Sequence, residues 1–187
     1  GVADNSVTLG NADVTAVYAA SDGDAVVYCG GINMSLNQPA ADSGTMSHET
    51  LDHYEEGTFD VTIATGSGTI TINTSYNSLA YVKIGKVVHI RGRVRISSVS
   101  SPSTTLQING LPFTSQGADE DNGQGNVNVS IEEAAAQIDT GVFGRVGVSA
   151  TALEIREQGI TTSSEALGNH IDAGTFITVT GFYFAAT

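Results

Sequence analysis

The stretch VVHIRGRVRI, residues 87–96, places Val88, Ile90, Val94 and Ile96 at one parity and His89, Arg91, Arg93 and Arg95 at the other. A period of two sends successive side chains to opposite faces of an extended strand, whereas a helix would need an apolar stripe repeating every 3.6 residues. The pattern recurs. In TFDVTIA, Phe59, Val61 and Ile63 point one way and Asp60 and Thr62 the other; GTITIN aligns Ile70 with Ile72, and TTLQING aligns Leu106 with Ile108. LAYVKI leads into Gly85-Lys86, a predicted tight turn, and GVFGRVGVSA, TALEIRE and GTFITVTGFYF follow later. Short runs of this kind, bounded by Gly, Ser or Asn at spacings of roughly ten residues, predict an all-β body over residues 51–187, a jelly-roll-like β-sandwich. One segment runs against the pattern. In SIEEAAAQI, Ser130 and Glu133 have the spacing of a capping box ahead of three alanines, which predicts a short helix.

Residues 1–50 differ in character. Apolar bursts (SVTLGN, DVTAVYAA, DAVVYCGGI) stand between polar turns, and Asp22-Gly23 is a hairpin-turn pair. Strands this thin are marginal alone in water. They gain stability when copies from several chains wrap a common axis, so the sequence predicts a short, β-rich, intertwined stalk and an oligomer; the alternative is an arm packed on its own domain. Residues 33–50, without periodicity, read as a linker or crossover. The single cysteine, Cys29, excludes an intrachain disulfide and is expected to be a buried thiol, with an intersubunit contact as the alternative. The opening GVADNSVTLG has neither a basic region nor an apolar core, so no signal peptide is expected, and no apolar run approaches spanning length.

Charge narrows the choice of partner. The chain carries 20 acids against seven Lys and Arg, a net charge of −13. Nucleic acid and anionic lipid both require a basic surface, so neither nucleic-acid binding nor membrane insertion is expected. Five of the seven basic residues (Lys83, Lys86, Arg91, Arg93, Arg95) nevertheless fall within residues 81–96. Arg91, Arg93 and Arg95 share one face. They could form an anion site for sialic acid, phosphate or an acidic sugar, or they could pair with carboxylates on a neighbouring strand or subunit. Abundant local carboxylates favour structural pairing.

The usual catalytic and metal signatures are missing. ADEDNGQGN resembles a calcium loop only loosely, because an EF-hand register counted from Asp119 puts Gly123, Gln124 and Ser130 where an oxygen ligand, a glycine and a glutamate belong. Glu55 and Glu56 are sequence neighbours in a strand and face opposite ways, so they do not form a facing acid/base pair. His48, His53, His89 and His170 lack metal-ligand spacing. There is no phosphate loop and no G-x-S-x-G elbow. No enzyme, metal or cofactor is expected.

Several segments carry a family resemblance. LDHYEEGTFDVTI resembles the LDDYEEGTFTP lead-in of tail-fibre and receptor-binding proteins of tailed bacteriophages, and YVKIGKVVHIRGRV resembles their YTKIGNVV strand pair. LQINGLPFTS is similar to their ISGLPF motif, and TALEIRE with the closing TGFYF to their last strands. VTLGNADVTAVYAASDGDAVVYCGGIN is similar to the stalk-like segment that often precedes this domain. The chain departs from the pattern where FDVTI replaces the FTP run and in a long insertion at residues 115–140.

The resemblance implies a homotrimeric distal module of a virion tail fibre, joined to other tail proteins and attached to a bacterial surface receptor, typically a glycan. Loops on rigid scaffolds carry recognition, so the insertion becomes a candidate contact. Candidate glycan-binding residues are Tyr54, Tyr76, Asp119, Asp121, Asn122 and Asn126. A purely structural trimerisation cap is the second reading, and a polysaccharide depolymerase, which needs two convergent acids, the third.

Overall fold

The structure, a computed structural model, describes residues 28–33, 50, 51, 53–117, 125–135, 138, 141–158 and 167–186. The chain divides into two compact units, Gly1–Thr50 and Leu51–Thr187. The expected stalk strands and the Asp22-Gly23 hairpin lie outside the described residues, as does nearly all of the expected linker. Within the first unit a two-residue strand, β1 (Ile32–Asn33), is defined, and β2 (Thr50–Leu51) sits at the boundary. Cys29, expected to be buried, is exposed, as is its neighbour Tyr28.

The second unit is all β among its described residues, apart from one 3-10 turn at Gly168–His170. Its strands are β3 (Tyr54–Asp60), β4 (Thr62–Ile72), β5 (Ser78–Ile84), β6 (Val87–Asn109), β7 (Gly125–Glu132), β8 (Val142–Val146), β9 (Ala152–Glu157) and β10 (Phe176–Phe184). All the described strand pairings among them are antiparallel. No described helix is long and apolar enough to cross a membrane.

The 23-residue β6 organises the body. Its first half pairs with β5 on one side and β10 on the other, and its second half pairs with β4 and with β9. From β10 the ladder continues through β7 and β8 to β9 and so back to β6. The circuit β6–β10–β7–β8–β9 therefore closes on itself, which removes the unpaired edges that a flat sheet would offer to other chains. β5, β3 and β4 extend from the opposite flank of β6.

The alternation in the sequence matches this packing. Val88, Ile90, Val94, Ile96, Leu106 and Ile108 of β6 are almost completely buried, as are Leu153 and Ile155 of β9 and Ile177, Val179 and Tyr183 of β10. Each such aliphatic side chain contributes roughly 1.5–3 kcal/mol through burial. Gly92 occupies the core-facing position between Ile90 and Val94. Its φ is 151°, and a Cβ there would lie 2.6 Å from Leu79 Cδ2, so Leu79 fills the space that a side chain would need.

Two expectations are corrected. The helix predicted from SIEEAAAQI does not form at its N-terminal end: Ser130–Glu132 complete β7, and Glu133 follows at φ 57°. Pairing with β10 overrides the local capping signal. The presumed insertion at 115–140 likewise contains β7, whose Val127 is buried and which lies between β10 and β8, so much of it belongs to the scaffold.

Candidate functional site

The outward parity of β3, β5, β6 and β10 builds one continuous surface. Directly paired residues share a face, so the register sets them in rows. Tyr54 meets Ile84, Ile84 meets Val87, and Val87 meets Phe184. The next row runs Glu56, Val82, His89, Phe182, and the third runs Thr58, Ala80, Arg91, Thr180. Further along β6, Arg93 stands beside Thr178 and Arg95 beside Phe176.

Two shallow depressions adjoin on this surface. One, of about 360 Å³, is bounded by Glu56, Thr58, Ala80, Val82, His89 and Arg91 among others. The second, of about 540 Å³, includes Thr58, Ser78, Ala80, Arg91, Arg93, Thr178 and Thr180. Thr58, Ala80 and Arg91 belong to both. The surface dips here because the residues flanking Arg91 in register, Ala80 and Thr180, are short.

The three arginines of the row behave differently. Arg93 reaches Glu132 Oε2 at 2.6 Å, and its guanidinium lies 3.8 Å from the centroid of the Phe176 ring. Arg95 approaches the same ring at 5.3 Å. The Arg91 side chain makes no hydrogen bond, ion pair or ring contact with any described residue. Arg93 thus has a carboxylate partner on a neighbouring strand, Arg95 lies near a ring and not a carboxylate, and the Arg91 side chain has no carboxylate partner among the described residues.

Beside the groove, the Tyr54 hydroxyl donates to Glu56 Oε2 at 2.8 Å, and this bond raises the tyrosine pKa above its ordinary value. On the other face of the same strand, the Tyr81 hydroxyl donates to Glu55, with the same effect. Glu55 and Glu56 therefore engage partners on opposite faces, and Glu56 is the carboxylate lining the groove among the described residues. No described group of His, Cys, Asp or Glu could hold a metal ion.

The sequence-derived candidates are scattered. Tyr54 is exposed at one end of the outer surface. Tyr76, also exposed, sets its ring edge against Phe176, 6.4 Å between centroids. Phe176 and Phe184, which mark these two ends on β10, are eight residues apart in number, about 26 Å at the usual strand rise. Asn126 is exposed on β7, opposite Arg145 of β8. Asp119, Asp121 and Asn122 lie outside the described residues. The structure therefore does not bring Tyr54 and Tyr76 together. The hydroxyl-lined groove at Thr58 and Thr180 carries no motif in the sequence; register alone creates it.

No protein-family model and no curated protein matches the chain. Solved structures give a likeness. In fold, the chain is similar to part of a tailspike. That tailspike is the Dettilon tailspike protein (gp208), matched with a TM-score of 0.60 and 16% identity over 70% of this chain. The match takes in 23% of the tailspike, so the chain corresponds to less than a quarter of that protein. At this identity the likeness is one of architecture, an all-β body shared with a segment of a phage tailspike.

Proposed function

We propose that the chain is a structural module of a bacteriophage tail that attaches the virion to a bacterial surface receptor, a glycan held in the groove across β3, β5, β6 and β10. The observation that carries this reading is the likeness in fold to a segment of a tailspike. The groove supports it, since side-chain hydroxyls and an uncommitted guanidinium on a rigid sheet are the polar groups a sugar needs, and sites on strands hold their geometry better than sites on loops. The reading is of a homotrimer in a virion tail that binds without catalysis. The test is a glycan array, with host surface polysaccharide, probed with the purified full chain. Reproducible binding that is lost when groove residues are altered is expected. Silence across array and host extracts would overturn the reading, and release of reducing ends would replace it with a depolymerase.

A second reading, a trimerisation cap with recognition elsewhere, is favoured by a different observation. Tyr54, Ile84, Val87 and Phe182 are 61%, 51%, 39% and 50% exposed, and register gathers them at one end of the surface. A contiguous exposed apolar patch marks an interaction site, here for other copies of this chain. Sedimentation of wild type and of the Ile84→Glu and Phe182→Glu variants distinguishes the two readings. A cap should fall to monomers when either charge is introduced, whereas a receptor face should keep its oligomeric state.

A further inference from the structure

We infer that the groove selects an acidic glycan, and that Arg91 binds its carboxylate through a two-point guanidinium–carboxylate fork; the inference rests on the receptor reading above. Three arginines alternate along one face of β6, and two of them have other roles. Arg93 is bonded to Glu132 and covers Phe176, and Arg95 faces the same ring. The Arg91 side chain has no partner among the described residues, although it stands where both depressions meet. Its neighbours in register, Ala80 and Thr180, are short and uncharged, so they leave the guanidinium accessible and do not neutralise it.

The surrounding groups fit a sugar ring. Thr58 and Thr180 offer hydroxyls that both donate and accept, and His89 adds an imidazole with the same capacity. Glu56, already accepting from Tyr54, keeps further lone pairs for sugar hydroxyls. The chain's overall negative charge does not defeat an anion here. Potentials decay over about 8 Å at physiological ionic strength, and the lining of the two depressions holds two guanidiniums, Arg91 and Arg93, against one carboxylate, Glu56. Glu132, across β10, is already matched by Arg93. A carboxylate fits better than a phosphate. One planar fork satisfies both oxygens of a carboxylate, whereas a phosphate dianion calls for a second cation, and the nearest candidate along the strand is committed.

The test is calorimetric titration of the full chain with a glucuronic-acid oligosaccharide, an oligosialic acid, the carboxyl-reduced form of the first, and a phosphate-bearing oligomannose. Wild type should bind at least one carboxylate ligand at least tenfold more tightly than the carboxyl-reduced sugar, and more weakly as salt rises. Arg91→Ala should lose tenfold or more with its melting temperature unchanged, and Arg91→Lys, which keeps the charge but not the fork, should fall between. Equal binding of the reduced sugar, or full retention in Arg91→Ala, would overturn the inference while leaving a glycan receptor standing. Preference for the phosphate ligand would overturn the carboxylate assignment alone. Absence of binding to all four ligands, in a protein that still binds host polysaccharide, would also overturn the inference; absence of binding to host polysaccharide as well would take the receptor reading with it.

Discussion

Arg93 and Glu132 are joined by a 2.6 Å bond that passes over β10, linking β6 to β7 on the outside of the closed circuit. The two side chains remain 43% and 52% exposed, so the ion pair itself is worth no more than about 1 kcal/mol. Phe176 lies beneath the guanidinium and adds a contact of roughly 0.5–1 kcal/mol. Arg93→Ala should therefore cost about 1–2 kcal/mol, a fall of several degrees in Tm for a body of this size. Arg91→Ala should stay within about 0.5 kcal/mol of wild type, as surface changes that touch nothing do. Parallel thermal melts check the contrast, and equal losses would refute it.

Tyr183 is buried, and its hydroxyl donates to the Phe113 carbonyl at 2.9 Å while accepting from the Phe113 N–H at 3.3 Å. One side chain thus pins the segment after β6 to β10. Tyr183→Phe leaves both backbone groups short of a partner and should cost about 1–3 kcal/mol by denaturant unfolding.

The same residue sets an alkaline limit. Burial pushes the Tyr183 pKa up from 10.0 to about 12, against a smaller lowering by the Phe113 bond. The unfolded chain releases this proton near pH 10 and the folded chain holds it, so the contribution to stability is complete below pH 10 and lost as pH rises towards 12. Stability should fall in that window by roughly 1.4 kcal/mol per pH unit at most for the Tyr183 proton. Tyr54 and Tyr81, also raised, act in the same direction. Denaturant midpoints measured from pH 9 to 12 should show a shallower fall in Tyr183→Phe.

Gly92 shows how tightly β6 is fitted. A Cβ at this position would adopt φ 151° and meet Leu79. Gly92→Ala should cost about 1–3 kcal/mol through backbone strain and overpacking. In a Leu79→Ala background the 2.6 Å clash with Cδ2 is gone while the Cα and Cβ contacts at 3.3 and 3.5 Å remain, so the cost of the same change should shrink. A double-mutant cycle measures that coupling; strictly additive losses would show that Leu79 is not what crowds the site.

Much of this fold was legible because period-two alternation reports directly which side of a strand is buried. Val88, Ile90, Val94 and Ile96 were legible on these grounds, and so was the Gly85-Lys86 turn, which joins Ile84 to Val87. The unity of β6 was not. VVHIRGRVRI and TTLQING stand as separate runs, yet one strand passes through the SSVSSPST between them and into both, with Ser101 and Thr104 at φ 44° and 56° and the pairing with β4 slipping at Thr65–Ser67 and Ser67–Thr69. Gly68 in β4, at φ 73°, accommodates that bulge: a Cβ there would come within 2.2 Å of the Ser100 carbonyl oxygen. Local composition signalled a break where long-range pairing made a bulge. β7 was hidden for a related reason, since Ser130 and Glu133 imitate a helix start. The groove was hidden because it depends on which residues of β5 and β10 stand beside Arg91, and a single strand's pattern does not contain its register.

Ser115 closes the far end of the body. It is buried, its hydroxyl donates to the Gly147 carbonyl at 2.5 Å, and it accepts from the Ala150 N–H at 2.8 Å. Its own N–H donates to the Ala150 carbonyl at 2.9 Å, and Ser115 bridges to Ala185 just past β10. A single hydroxyl therefore ties the turn between β8 and β9 to the segment after β6. Ser115→Ala removes both side-chain bonds and leaves the Gly147 carbonyl and the Ala150 N–H of a half-buried turn short of a partner, a loss of about 1–3 kcal/mol. The effect should be local as well as global. Hydrogen exchange at the Ala150 amide should quicken by more than the global loss of stability explains, while the Ile90 and Val94 amides of β6 should follow the global change alone. An Ala150 amide that keeps its wild-type protection in Ser115→Ala would mean that the turn is held by its neighbours and not by this hydroxyl.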